Sequence, residues 1–220
     1  MNALQSTLDV LGEARAKTDS VLVSYSAGKD SMICLDLCMR TFKRVECFFM
    51  YFIEGLRHIE EKFEETRKRY PGLIIRQQPH HVVIGYMKGG MYCDAVEDLP
   101  DWSLADCHAQ ARRESGIDLI VHGAKKTDSL WRKRHLSVAG NRDGVLYPIE
   151  EWNKLDVLAY LAARGIPLPS SAGTVSSGVG LSTPSLLWLH DNHPDDFAKI
   201  EAVFPYVNAC VYRRRWYGVV

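Results

Sequence analysis

Eight consecutive residues, Ser24-Tyr25-Ser26-Ala27-Gly28-Lys29-Asp30-Ser31, set small side chains, a lysine and an aspartate between an apolar triplet and an apolar helical run. Small residues let backbone N–H groups approach a ligand, and the helix N-terminus behind them adds partial positive charge. That chemistry suits capture of an anion, phosphate above all. A polar turn in which Asp30 only caps the helix is the plainer alternative. The strand pattern before the loop and the apolar helix after it favour a ligand site. Ser24, Ser26, Ala27, Gly28, Lys29, Asp30 and Ser31 are thus the expected phosphate contacts. Lys29 and Asp30 are the groups able to take part in chemistry, and Asp30 is the candidate magnesium ligand. The spacing excludes a kinase-type G-x-x-x-x-G-K-S/T loop, since Val23 stands five before Gly28 and Asp30 fills the hydroxyl position. No G-x-G-x-x-G opens a helix, which removes a dinucleotide turn.

A second cluster runs from His122 to His135. Six basic or histidine residues (Lys125, Lys126, Arg132, Lys133, Arg134, His135) fall within eleven positions after an apolar triplet. A solvated helix face would look similar. Ligands of parallel sheets, however, bind at the carboxyl ends of strands, where this segment begins. Lys125 and Arg132 are the candidate catalytic cations in this cluster. Arg132 is the residue suited to a bidentate phosphate or sulfate contact.

Elements that could position both segments alternate along the chain. Val21-Leu22-Val23, Val45–Ile53, Leu73-Ile74-Ile75, Leu119-Ile120-Val121 and Val145–Pro148 predict strands. Stretches 4–16, 30–42, 59–70, 103–115, 154–163 and 186–204 predict helices, the last with a break near Pro194. Such alternation is the pattern of an α/β fold with a mostly parallel five-stranded sheet and helices on both faces. Residues 79–100 and the Gly/Ser-rich 169–185 have no clear period and are expected as loops. One domain over 1–220, with a helical or tail segment from about residue 186, fits the length. Lysine plus arginine (27) equals aspartate plus glutamate (27), so bulk charge drives no association with nucleic acid or membrane. The longest apolar run, Cys47–Ile53, is too short to cross a bilayer, and Asp9 and Glu13 interrupt any secretory leader. Six dilute cysteines without a CxxC point to a reducing cytoplasm rather than a disulfide scaffold.

The first segment resembles the S-G-G-x-D-S signature of the PP-loop ATP pyrophosphatases, or adenine nucleotide α-hydrolases, with Ala27 for the first glycine. The segment His122–Arg132 is similar to the G-x-R/K-x-x-D/E-S-x-x-R element of the phosphoadenosine-phosphosulfate reductase-like group, a resemblance that implies nucleotide contacts at Gly123, Lys125, Ser129 and Arg132. Tyr147-Pro148-Ile149 through Trp152 to Asp156-Val157 is similar to that group's P-I/L-x-x-W-x-x-x-D-V helix entry. The resemblance implies ATP held by its β- and γ-phosphates with magnesium, attack on the α-phosphorus, and release of pyrophosphate to activate an acceptor. Two alternatives stay open. One is a thiol-dependent sulfonucleotide reductase using Cys210. The other is a nucleotide-binding subunit of a nucleic-acid modification system, which the basic-aromatic stretch Arg213-Arg214-Arg215-Trp216-Tyr217 would serve. The reading leaves room for a homodimer or a partner subunit and includes no membrane.

The chain also departs from the group. Ser182 and Ser185 stand where many relatives carry the thiols of a G-C-x-x-C, so no iron–sulfur cluster is expected. Ile53-Glu54-Gly55 lacks the aspartate of D-T-G, and Cys210 lacks the residues that flank the reductase nucleophile. His80 and His81 are expected as solvated loop histidines.

Overall fold

A computed structural model describes residues 3–139, 144–168 and 180–218. The chain runs α1 (Ala3–Arg15), β1 (Ser20–Ser24), α2 (Lys29–Thr41), β2 (Arg44–Tyr51), α3 (Arg57–Arg69), β3 (Ile74–Pro79), α4 (His81–Lys88) and α5 (Leu104–Ser115). It continues through β4 (Ile120–Val121), α6 (Leu130–Ala139), β5 (Val145–Leu146), α7 (Lys154–Ala163), α8 (Thr183–Asn192), α9 (Pro194–Val203) and α10 (Asn208–Tyr217). The strands form one sheet in the order β3-β2-β1-β4-β5. β1 pairs in parallel with β2 and with β4, and β4 with β5, through registers such as Val23↔Cys47, Val23↔Val121 and Ile120↔Val145. The α/β class and the five-stranded, mostly parallel sheet expected from alternation are therefore present. β1 is central because Val21, Leu22 and Val23 all bury completely, as a strand covered on both faces requires.

This order fixes where a ligand can bind. From β1 the chain winds outward to β2 and β3, then returns to build β4 and β5 on the other side of β1. The connections leaving the carboxyl ends of β1 and β4 diverge, and the crevice between them is where open parallel sheets bind ligands.

The described residues divide into two compact units, one of Met1–Phe49, Gly72–Arg76 and His108–Pro169, the other of Met50–Pro71, Gln77–Cys107 and Ser170–Val220. In the first, α2 buries Ile33, Cys34, Leu35, Leu37 and Cys38 at 1% exposure or less, each contributing about 1.5–3 kcal/mol if fully removed from water. Its one buried charge, Asp36, accepts hydrogen bonds from Tyr160 Oη at 2.7 Å and from Arg164 Nε and Nη2 at 2.8 and 3.2 Å, which ties α2 to α7. In the second unit, Asp196 of α9 accepts the backbone N–H groups of Arg57 and His58 at 2.7 and 2.9 Å and the ring of His58 at 2.6 Å. That carboxylate satisfies the first turn of α3, which has no side-chain cap of its own.

Three local expectations change. Part of 79–100 is helical: His80 accepts the Val82 N–H through Nδ1 at 3.1 Å and caps α4. The run Val82-Val83-Ile84 supplies its apolar side, which the flanking His, Gly and Pro obscure in the sequence. His80 is consequently a half-buried cap rather than a solvated loop histidine, and burial pushes its pKa down to about 4. The expected helix over 186–204 starts at Thr183 and divides at His193-Pro194, near the expected break. Beyond it the chain forms α10, closed by Gly218 at φ 62°. The expected 169–185 loop lies outside the described residues up to 179.

Candidate functional site

The loop after β1 is held by one serine. Ser31 Oγ donates to Gly28 O at 2.9 Å, and with its only proton used there it accepts from Ser26 N at 3.2 Å and Ser26 Oγ at 3.2 Å. Ala27 sits in the left-handed region at φ 55° and is 2% exposed. The position keeps the conformation its glycine counterpart would take, at a strain of about 1–2 kcal/mol for the alanine. Gly28 is the extended N-cap of α2, and no side chain caps that helix. The first-turn N–H groups and the positive end of the helix dipole are left for an external anion. Ser24 ends β1 just before this ring.

The segment after β4 approaches this loop without a gap. A Cβ on Gly123 would lie 3.0 Å from the carbonyl carbon of Asp30, 3.1 Å from its oxygen and 3.2 Å from Ser31 N. A side chain there would force the two segments apart by a few tenths of an ångström. Two residues on, Lys125 is almost fully buried, its side chain 4% exposed, and its Nζ lies 2.7 Å from Asp30 Oδ2 and 3.0 Å from Asp128 Oδ1. Lys29 Nζ is 3.0 Å from the same Asp30 oxygen, and Arg132 Nη1 is 3.0 Å from Asp128 Oδ2. The result is an alternating chain, Lys29–Asp30–Lys125–Asp128–Arg132, with three cations against two carboxylates and so one net positive charge. Burial raises the Asp128 pKa, but hydrogen bonds from Lys125 and the nearby Lys125 and Arg132 charges outweigh it and hold the carboxyl below its usual range. One buried polar atom here, Asp30 Oδ1, has no hydrogen-bond partner among the described residues, whereas Lys125 Nζ is held between its two carboxylates. An orphaned atom of this kind at a strand end suits a charged ligand.

Of the residues singled out from sequence, the structure brings together Ser26, Ala27, Gly28, Lys29, Asp30, Ser31, Gly123, Lys125 and Arg132. Ser129 serves locally, its Oγ accepting the Arg132 N–H at 3.1 Å at the start of α6. Lys126 turns away from the chain of charges to pair with Glu150 and Glu151. Cys210 belongs to the other unit, where it is buried with its Sγ 3.6 Å from the hydroxyls of Tyr92 and Thr183. Sequence reasoning missed Asp128 as the bridging carboxylate and missed a histidine pair behind the site. His122, the residue after β4, meets His108 of α5 with Nε2 atoms 2.9 Å apart. One ring must donate and the other accept, so the accepting ring is neutral. Burial, then the positive charges of His108 and Arg132, push the His122 pKa down to about 3. Phe48 sets its edge against both rings and Tyr147 stacks on His122.

Comparisons with known proteins find the following likenesses. The "Sulfate adenylyltransferase subunit 2" of Sulfurovum sp. is 22% identical over 200 residues, covering 74% of this chain and 63% of the relative. The chain therefore spans less than two thirds of that relative's length. A crystal structure of phosphoadenylyl-sulfate reductase from Candida auris in complex with phosphate superposes with a TM-score of 0.50 at 19% identity, over 80% of this chain and 87% of that one. The U34-tRNA thiolase NcsA from Methanococcus maripaludis, solved with its 4Fe–4S cluster, matches 94% of this chain and 80% of its own at 15% identity and a TM-score of 0.44. This last match corrects one expectation, that of no iron–sulfur cluster. Cluster ligands can converge from positions far apart in sequence, so the missing CxxC is no ground for exclusion. Among the described residues, no helix is long and apolar enough to cross a membrane. The phosphoadenosine phosphosulfate reductase domain model matches residues 20–170, which include β1, its loop, β4 and the segment that closes on that loop, and the chain thus belongs to the phosphoadenosine phosphosulfate reductase domain family.

Proposed function

We propose that the chain is an ATP-using enzyme of the PP-loop type, cleaving ATP at the α-phosphorus and releasing pyrophosphate to activate an acceptor. The observation that carries this reading is Lys125, a buried ammonium shared by Asp30 and Asp128 at 2.7 and 3.0 Å where the two strand-end segments meet. A buried lysine costs several kcal/mol unless its charge is used. Here the charge lies beside an uncapped helix N-terminus, where a triphosphate would be held by backbone N–H groups. In this mechanism Ser26, Gly28 and the first turn of α2 cradle the terminal phosphates, and Lys29 transfers its contact from Asp30 to them. Lys125 and Arg132 stabilise negative charge developing on the α-phosphate as the bond to the pyrophosphate oxygen breaks. Magnesium is commonly held by one carboxylate together with substrate phosphates, and Asp30 Oδ1 fits that role.

A partner subunit belongs to the proposal, since the similar sulfate adenylyltransferase chain is named as a subunit. The six free cysteines favour a reducing compartment such as the cytoplasm. Coupled detection of pyrophosphate from ATP, over a panel of acceptors, tests the reading. The parent should release pyrophosphate, and Lys125→Met should bind ATP weakly and release little. Pyrophosphate release unchanged in a folded Lys125→Met protein would overturn the assignment.

A further inference from the structure

α6 follows directly from the charged chain and is almost wholly exposed. Leu130 is 81% and Trp131 70% accessible, and Leu136 is its one buried side chain among those described. Its sequence, LWRKRHLSVA, contains no acidic residue, a local concentration of positive charge in a chain whose formal net charge is zero. At 3.6 residues per turn, Arg134, Trp131, His135 and Arg132 lie side by side in that order across the helix surface. Trp131 and His135 are stacked, with ring centroids 5.1 Å apart and planes within 5°. Two guanidinium groups thus bracket a preformed aromatic platform. Arg132, at one edge, joins the phosphate site through Asp128, whereas Lys133 and Arg134 form no ion pair among the described residues.

We propose that this face of α6 docks single-stranded nucleic acid beside the phosphate site. Phosphates match the flanking cations, and every base offers a π-face that can stack on the platform. Duplex bases are already stacked and cannot do so. A membrane surface suits the helix poorly, because Leu130 is the one exposed aliphatic side chain among those described and interfacial helices need an apolar stripe. α10, in the other unit, exposes Tyr212 and Trp216 near Arg213 and Arg215, and it serves as the internal comparison.

The test is fluorescence anisotropy of the full chain with labelled oligothymidylate and oligouridylate. Duplex DNA and phosphatidylserine vesicles are the competing ligands. The parent should bind the single strands. Trp131→Ala should weaken binding about tenfold or more, while Trp131→Phe, which keeps a stacking face, retains most of it. Arg134→Ala should reduce the slope of log K against log salt by about 0.7, one phosphate contact. All three variants should retain parental circular dichroism and ATP affinity. Four outcomes would each overturn the proposal: no single-strand binding at low salt, binding indifferent to Trp131 and Arg134, loss only in an Arg213→Ala/Trp216→Ala variant, or binding of vesicles in place of single strands. The claim does not depend on ATP chemistry. A parent that binds single strands through α6 but no ATP would sink the enzymatic reading and leave the docking surface standing.

Discussion

Gly123→Ala tests the contact that makes one site of two segments. The added methyl would lie 3.0–3.2 Å from three backbone atoms of Asp30 and Ser31, where ordinary contact begins at 3.4 Å. Backbone has no rotamer to yield, so the two segments must part by about 0.2–0.4 Å at least, the differences 3.4 − 3.2 and 3.4 − 3.0. Overpacking of this kind costs about 1–3 kcal/mol, which for a chain of this size lowers the melting temperature by roughly 2–12 °C. Lys125 moves with the segment and loses its position relative to Asp30. Misplacement approaching 1 Å can cost about 100-fold in rate, so a shift of a few tenths should cost several-fold or more. Differential scanning calorimetry, ATP titration calorimetry and pyrophosphate release read the three effects. The matched control is Gly12→Ala in α1, where nothing lies within 4 Å and the change should gain about 0.5–1 kcal/mol. A Gly123→Ala protein with parental melting temperature and ATP affinity would refute the close-approach argument.

Arg132→Ala should weaken nucleotide binding by about 1.5–3 kcal/mol, the worth of a charge-assisted hydrogen bond, and calorimetry with ATP and inorganic phosphate would show whether it does. Ala27→Gly should stay within about 1 kcal/mol of the parent in urea denaturation. Relief of left-handed strain (about 1–2 kcal/mol) is offset by the lost buried methyl (about 0.8) and the looser unfolded chain (about 0.4–1). His122 is held neutral, with its folded pKa pushed to about 3 against roughly 6.5 unfolded. The unfolded state therefore takes up the proton first, and the stability His122 contributes is complete above pH 6.5 and declines as pH falls towards 3. His122→Gln should flatten the acid limb of a stability–pH curve by up to about 3 kcal/mol at pH 4. An unchanged limb would place the acid sensitivity elsewhere.

The sheet and the phosphate loop were legible because both are written locally. Val21-Leu22-Val23 is apolar enough for only a doubly covered strand, and the small residues after it have few other uses. Motif spacing singles out Lys125 over Lys126, but only the fold shows that the first is buried between two carboxylates and the second pairs with Glu150 and Glu151. The His108–His122 contact lies fourteen positions apart on a helix and a strand end, and no local pattern links them. α4 was hidden because its cap is a histidine, a residue not counted among helix starters. Ala27 shows the opposite case: alanine disfavours positive φ, and the chain nevertheless adopts that φ and bears the strain.

The alternating row from Lys29 to Arg132 has a consequence for how an anion arrives. The two carboxylates act as resident counterions, so on the proposed reading an incoming phosphate would displace Asp30 from Lys29 and Lys125 rather than meet bare cations. Binding is then an exchange of one anion for another, and few salt ions are released to the solvent. Such a site has a shallow dependence on ionic strength and little long-range pull. It selects ligands whose phosphates outcompete a built-in carboxylate, and it lets acetate or chloride pass unbound.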